Sequence, residues 1–362
     1  MTDLISIRPR LIPPQAKGHT SSANVTSAWY VACLSKTLKK TPKSVTLLGV
    51  PLVLFRDQAG VARAVLDRCP HRNVPLSLGR VVDGELECAY HGWRFSGEGT
   101  CTRLPGLTKC SESSHRSVSA RQVREQQGLI WVYGEEDDAP VSEPYKFPMV
   151  DTPGYHTVYD RVEGRGTLHA VAENALDVPH TAFLHGGLFR QDGERRPIEV
   201  VVRRWHDRVE AQYIGEERPK GLIGSILAPG GGAVEHFDRF ILPCVVQVEY
   251  RLSERSHMLV STALTPIDDF RTELFAVVCF RLPLPGWLVT PFVRPIARRI
   301  FAQDAKILTA QTDAIQRFGG EQFMSTELDA LGPHIRKLLR DAERGTSATI
   351  EEPVERRFEM LV

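Results

Sequence analysis

The chain carries almost no net charge: 45 lysines and arginines stand against 44 aspartates and glutamates in 362 residues. So even a balance gives no reason to expect nucleic acid as a partner. Cysteine is sparse and irregular. The seven, Cys33, Cys69, Cys88, Cys101, Cys110, Cys244 and Cys279, show no framework spacing. An odd count of that kind argues for a reducing compartment, and a cytoplasmic protein is expected. Met1 to Gly18 has charges and prolines but lacks the apolar core of an export signal. No uncharged apolar run reaches membrane-spanning length. Internal repeats and long low-complexity tracts are also missing. A chain this long suits about two domains.

Against that plain background, Cys69-Pro-His71 is followed after sixteen residues by Cys88-Ala-Tyr-His91. Each arm offers one thiolate and one imidazole. A Rieske [2Fe–2S] centre needs that split, with two Cys on one iron and two His on the other. The competing reading is a structural zinc site, which more often pairs Cys with Cys and His with His. Gly92 allows close backbone approach to a cluster, and Trp93 suits either shielding or ordinary packing.

The second informative stretch is Glu173-Asn-Ala-Leu-Asp177-Val-Pro-His180, with His185 five residues on. Two His with nearby carboxylates suit a 2-His-1-carboxylate Fe(II) site. On an ideal helix, residues five apart lie roughly 140° around the axis. The two imidazoles therefore meet one ion only if the helix is distorted or ends between them. Pro179 and Gly186-Gly187 allow both.

The organisation follows the same punctuation. Residues 1–25 read as an N-terminal arm. Residues 26–140 read as a small all-β domain, with strands near 45–55, 62–66, 86–89 and 128–134. Gly134 to Pro140 reads as a linker. Residues 141–345 read as a helix-flanked antiparallel sheet. Within it, helices are expected over 167–184, 291–318 and 325–344, with strands from 199 to 281. Residues 346–362 are left as a C-terminal tail. The whole is an α+β chain.

The two motifs, C-P-H-R…C-A-Y-H-G-W-R-F and E-N-A-L-D-V-P-H-T-A-F-L-H, make the chain resemble the terminal oxygenase (alpha) component of Rieske non-haem iron oxygenases of the homotrimeric type. The resemblance runs from about Trp29 to about Leu339. It implies that Cys69, His71, Cys88 and His91 hold the cluster and that His180 and His185 bind a mononuclear Fe(II). It implies a downstream carboxylate as third ligand. Asp304 is the best candidate, beside Gln303 and on one helical face with Leu308 and Gln311; Asp313 and Glu321 are rivals. The family pattern also gives Asp177 a bridging role between His180 and His91 of a neighbouring subunit. Asn174, one turn earlier, supports the open iron face or is simply a satisfied polar residue.

What the resemblance implies about activity is O2-dependent hydroxylation or oxidative demethylation of a mostly apolar aromatic, polycyclic, terpenoid or sterol-like molecule. Electrons would come from a ferredoxin or flavin reductase. Monooxygenation is favoured over cis-dihydroxylation by the single-chain look. A Rieske electron carrier without oxygenase activity is an alternative from another class, and a zinc-stabilised binding module is a third. Colour and an EPR signal of the reduced protein are the observations set against both alternatives. Arg68, Arg72, Arg80 and Arg94 around the cluster arms are either a donor-docking face or locally paired charges. Residues 282–300 mix aromatic, aliphatic and arginine side chains, and read as core, as a substrate flap, or as a peripheral membrane contact.

Overall fold

The computed structural model describes residues 21, 23–107, 116–136, 139–185, 196–216, 234–253, 256–283, 285–346 and 352–361. Cys110, Gly186 and Gly187 lie outside the described residues, as does nearly all of the expected N-terminal arm. The chain divides into two compact units. Asn24–Lys146 with Thr265–Asp268 belong to the first, and Phe147–Leu264 with Asp269–Val362 to the second.

The first unit is built from short strands: β1 (Trp29–Leu34), β2 (Lys43–Leu47), β3 (Val50–Arg56), β4 (Ala62–Leu66), β5 (Arg80–Val82) and β6 (Glu85–Glu87). β7 (Arg94–Phe95), β8 (Cys101–Arg103), β9 (Ala120–Arg121), β10 (Val123–Gln126) and β11 (Leu129–Tyr133) complete it. They form three sheets, ordered β1-β11-β10, β2-β3-β4-β9 and β5-β6-β7-β8. Leu48-Gly49 joins β2 to β3, and Asp83-Gly84 joins β5 to β6. Both residues of each turn have positive φ, the conformation that matches hairpin twist. One core cluster gathers Val53, Phe55, Val65, Leu76, Leu86, Phe95 and Leu104 around the buried Cys69 and Cys88. Burial of that apolar surface, at about 25 cal/mol per Å2, is what fixes the loops carrying the two cysteines.

The second unit is one eight-stranded sheet. Its strands are β12 (His156–Arg165), β13 (Pro197–Arg204), β14 (Arg208–Ile214), β15 (Glu235–Ile241), β16 (Val245–Ser253), β17 (Ser256–Asp268), β18 (Arg271–Arg281) and β19 (Val354–Leu361). They are ordered β12-β18-β17-β16-β15-β14-β13-β19. β19 pairs antiparallel with β13 from Pro197↔Leu361 to Arg204↔Val354. Residues expected to be a tail are thus a strand at the sheet's edge; its run of charged residues hid the pattern.

Among the described residues, four helices complete the unit: α1 (Leu168–Leu176), α2 (Thr181–Leu184), α3 (Gly286–Phe318) and α4 (Gly332–Glu343). α1 packs on β15 and β16, and α4 on α1 and β14. The single helix expected over 167–184 is in fact two. Thr167 caps α1 by accepting the Ala170 N–H at 3.1 Å. Asp177 then leaves the helix with φ −89°, ψ 104°. Pro179 has no N–H to continue the ladder, and the chain turns before α2 begins. Residues 325–331 are likewise not helical, because Gly332-Pro333 opens α4. α3 starts earlier than expected and contains Pro291 and Pro295. Its first turns carry Trp287 at 69% exposure and bury Val289. The stretch is therefore a continuous lead-in to Asp304 rather than buried core. Arg294 and Arg298 lie 3.5 and 3.2 Å from Asp160.

Candidate metal centres

The two cluster arms have the same backbone construction. In the β4–β5 connection, Cys69 N–H donates to Val74 C=O at 2.9 Å and Asn73 N–H to Cys69 C=O at 2.9 Å. In the β6–β7 connection, Cys88 N–H donates to Trp93 C=O at 2.8 Å and Gly92 N–H to Cys88 C=O at 3.0 Å. The residue four after each cysteine, Asn73 and Gly92, has positive φ, 63° and 69°. Each arm is thus a closed loop with its cysteine at the base.

The surroundings hold the loops. Asp67 accepts the Ser77 N–H and hydroxyl, both at 2.7 Å, and the Ser44 hydroxyl at 3.0 Å. Glu87 takes Arg80 Nε at 2.8 Å and Arg94 Nε at 2.9 Å. Arg68 Nε donates to Asn73 at 2.8 Å. Three of the four arginines expected around the arms are therefore paired locally, and Arg72 is exposed.

The donor set fits a [2Fe–2S] cluster. Cys69 and Cys88 are buried, 2% and 3% exposed, and each thiol feels the other. Burial first, then the neighbouring Cys88, pushes Cys69 up to about 11 as a free thiol. Two thiols so placed want a cation rather than two protons. The His71 and His91 rings lie side by side, centroids 4.5 Å apart. His71 Nδ1 is buried with no hydrogen-bond partner, the signature of a missing ligand. Desolvation, then the His91 and Arg72 charges, hold His71 below its usual pKa, in the neutral form a ligand needs. Trp93 stacks on His71 with ring centroids 4.7 Å apart and planes 5° apart. Tyr90, exposed, lies against His91 at 3.9 Å.

The second unit brings His180, His185 and Asp304 together. The two Nε2 atoms are 3.3 Å apart. Asp304 Oδ1 lies 3.1 Å from His185 Nε2 and 3.6 Å from His180 Nε2. Three donors each about 2.1 Å from one ion, at about 95–120° to one another, would be spaced about 3.1–3.6 Å apart. The triangle is therefore the right size for one metal. Asp304 Oδ1 is buried and accepts no good hydrogen bond. α2 explains the five-residue spacing: His180 sits at its N-cap and His185 at its C-cap, so one short turn presents both rings.

Gln303 Oε1 accepts from His185 Nδ1 at 3.0 Å, which leaves Nε2 as the lone pair facing Asp304. Burial alone would lower His180, but the Asp177 and Asp304 carboxylates overcome it and raise the ring to about 9. A site so negative holds a cation readily. Of the rival carboxylates, Asp313 pairs with Arg165 at 2.7 Å and Glu321 accepts from Ser21 at 2.7 Å. The buried row of α3 runs Leu308–Thr312–Ile315 and leaves the expected Gln311 exposed.

Asp177 Oδ2 lies 3.4 Å from His180 Nδ1, long for a hydrogen bond. A small pocket beside it is lined by Glu173, Asp177, Tyr213 and Leu328–Gly332. Asn174 is half-buried one turn before Asp177, with no side-chain hydrogen bond among the described residues. Gln303 and Glu173 carry no role in the sequence reading. Both adjoin its motifs, yet only packing shows what they touch.

Residues 28–123 match the Rieske [2Fe-2S] domain family, and residues 165–344 match the vanillate O-demethylase oxygenase C-terminal domain. The chain is 28% identical to "Protein TIC 55, chloroplastic" of Arabidopsis thaliana over 81% of its own length and 54% of that protein. It spans about half the length of several curated relatives it matches. It is 30% identical to 4beta-methylsterol monooxygenase of Methylococcus capsulatus, over 74% of this chain and 72% of that one. The fold is shared with dicamba monooxygenase bound to 3,6-dichlorosalicylic acid, at a TM-score of 0.77 and 24% identity, covering 90% of this chain and 100% of that one. The two matched domains stand in the order of the two metal motifs, and the chain belongs to the Rieske non-haem iron oxygenases, whose cofactors are a [2Fe–2S] cluster and a mononuclear iron, with O2 as co-substrate.

Proposed function

We propose that the chain is a terminal oxygenase that hydroxylates or oxidatively demethylates a mostly apolar small molecule. The observation that carries this reading is the closed His180–His185–Asp304 triangle, which a simple electron carrier has no use for. Relatives named as O-demethylases and a methylsterol monooxygenase favour monooxygenation of an aromatic or sterol-like substrate.

In this reading Cys69 and Cys88 hold the inner iron of the cluster, and His71 and His91 the outer one. His180, His185 and Asp304 hold the mononuclear iron, which supplies open positions for O2 when bound. Gln303 fixes the His185 tautomer. Asp177 steadies His180 through Nδ1 and accepts from His91 of a neighbouring subunit, linking the two centres across the boundary. Asn174 supports the open face of the iron site. A ferredoxin or flavin reductase donates electrons, and Arg72 is the exposed charge left for docking.

A homotrimer fits this bridge, since a head-to-tail ring closes only if each subunit meets the next in the same way. Exposed apolar side chains on the elements flanking the iron site suit such cover: Phe183 at 75%, Phe318 at 76% and Met324 at 89%. A cytoplasmic location, with at most peripheral membrane contact, fits Cys33, Cys101, Cys244 and Cys279, which form no disulfide among the described residues.

The test is product formation from aromatic and sterol candidates under 18O2, with a surrogate ferredoxin and reductase. One labelled oxygen per hydroxylated product is expected. Two labelled oxygens on adjacent ring carbons would establish cis-dihydroxylation instead. A colourless protein holding only zinc would overturn the assignment.

A further inference from the structure

Glu173 and Asp177 are four residues apart, at the C-terminal end of α1, and both line the same small pocket. Two carboxyl groups sharing a poorly solvated pocket cannot both ionise cheaply, so one keeps its proton. The surroundings decide which. Asp177 lies beside the His180 ring, whose N–H favours an anion. The cation acting on Glu173 is Arg336, which is outnumbered by the carboxylates around it. The groups acting on Glu173 are Asp177 just past the end of α1, Glu321 and Asp329 on the segment before α4, and Arg336 on α4; Tyr213 on β14 lines the same pocket, and His169 lies one turn before Glu173 on α1. His169 is itself committed, with Nε2 on the Gly332 carbonyl at 2.9 Å. Arg336 is the one cation among them, against three carboxylates.

Glu173 is also seated by shape. A Cβ on Gly332 would lie 1.7 Å from Glu173 Oε1, so the glycine leaves the notch that the carboxyl occupies. Burial first, then Asp329, Asp177 and Glu321, raise Glu173 to about 7.

We propose that Glu173 is a positioning residue for the iron site: a carboxylic acid that keeps its proton so that Asp177 alone carries charge beside His180. Ionising Glu173 adds a further negative charge to a pocket that Asp177 and Asp329 already line, and disturbs the Asp177 carboxylate. The inference rests on the proposed bridging role of Asp177 for its catalytic consequence, but the proton itself can be read without turnover.

The experiment uses the full-length holoenzyme. Infrared difference spectra across pH 5–9 should show a protonated carboxylic C=O band that titrates near neutrality and is missing in Glu173→Gln. In Asp177→Asn the band should titrate at lower pH, because its neighbour's charge is gone. In single turnover, wild-type cluster reoxidation with substrate and O2 should fall about tenfold per pH unit above that midpoint, as the protonated form is depleted. Glu173→Gln, permanently neutral and of the same shape, should stay flat over that range. Gly332→Ala, which displaces the carboxyl while leaving its charge, should shift the midpoint. An absent band, a band unmoved by Asp177→Asn, or an unchanged alkaline fall in Glu173→Gln would each overturn the proposal. A wild type with no turnover on any substrate counts against the oxygenase reading instead, and the infrared titration still decides the state of Glu173.

Discussion

At the scale of single residues, the proposed iron site is a set of donors whose charges suit a cation. Replacing His180, His185 or Asp304 by Ala should remove the mononuclear iron and turnover while the cluster spectrum is kept. Iron per chain and the visible spectrum check this together. Full iron and activity in Asp304→Ala would show that another carboxylate is the ligand. Gln303→Leu removes only the group that orients His185, so iron affinity should fall by about 10–100-fold rather than vanish. Glu173 adds a signature in stability. Its folded-state pKa, about 7, lies above the ordinary 4.5. The folded protein therefore holds a proton that the unfolded chain has released, and stability falls as pH rises from about 4.5 to about 7. The upper bound is about 3 kcal/mol, at about 1.4 kcal/mol per unit. Glu173→Gln should be the more stable protein above pH 7 and lose that advantage near pH 4.5, as read by denaturant midpoints.

At the scale of elements, the loops that carry the ligands depend on anchors some distance from them. Asp67 gathers three hydrogen bonds at the root of the first cluster arm. Asp67→Ala leaves a backbone N–H and two hydroxyls without that partner, at about 1–3 kcal/mol for each donor left buried and unsatisfied. The cluster should then bleach faster with a chelator, while the iron site is unaffected. Bleaching at the wild-type rate would show that Ser44 and Ser77 find other partners. Much of this scale was legible in the sequence. Cys69, His71, Cys88 and His91 announced the arms by residue type. A helix distorted or ended between His180 and His185 was expected; instead α1 ends before both, next to Pro179, and the short α2 runs between them. The twin backbone closures of the arms were not foreseen, because Asn73 and Gly92 look unrelated as letters. α2 was read as part of a longer helix since its apolar pattern continues that of α1. β19 was missed because its charged Glu355 and Arg357 find partners brought close only by the sheet, Arg203 with Glu355 at 2.8 Å and Glu199 with Arg357 at 3.2 Å.

At the scale of the whole molecule, the proposed route for electrons makes assembly a condition of activity. Asp177→Asn keeps the shape of the bridge and should retain both metal centres. It should still slow single-turnover reoxidation of the cluster strongly, since coupling through the carboxylate is lost. Solution mass should report a trimer for both proteins. An active monomer, or a mutant reoxidised at the wild-type rate, would rule out the route between subunits. The pairing of β13 with β19 has a further consequence, in the order of synthesis. β13 begins at residue 197 and its partner at 354. At about 5–20 residues per second, the ribosome delivers β19 roughly 10–30 s after β13. For that interval the nascent sheet presents an open edge with valines at 200, 201 and 202. Cells starved of holdase chaperones should lose the protein as nascent-chain aggregates, and more so when translation is slowed between these two strands.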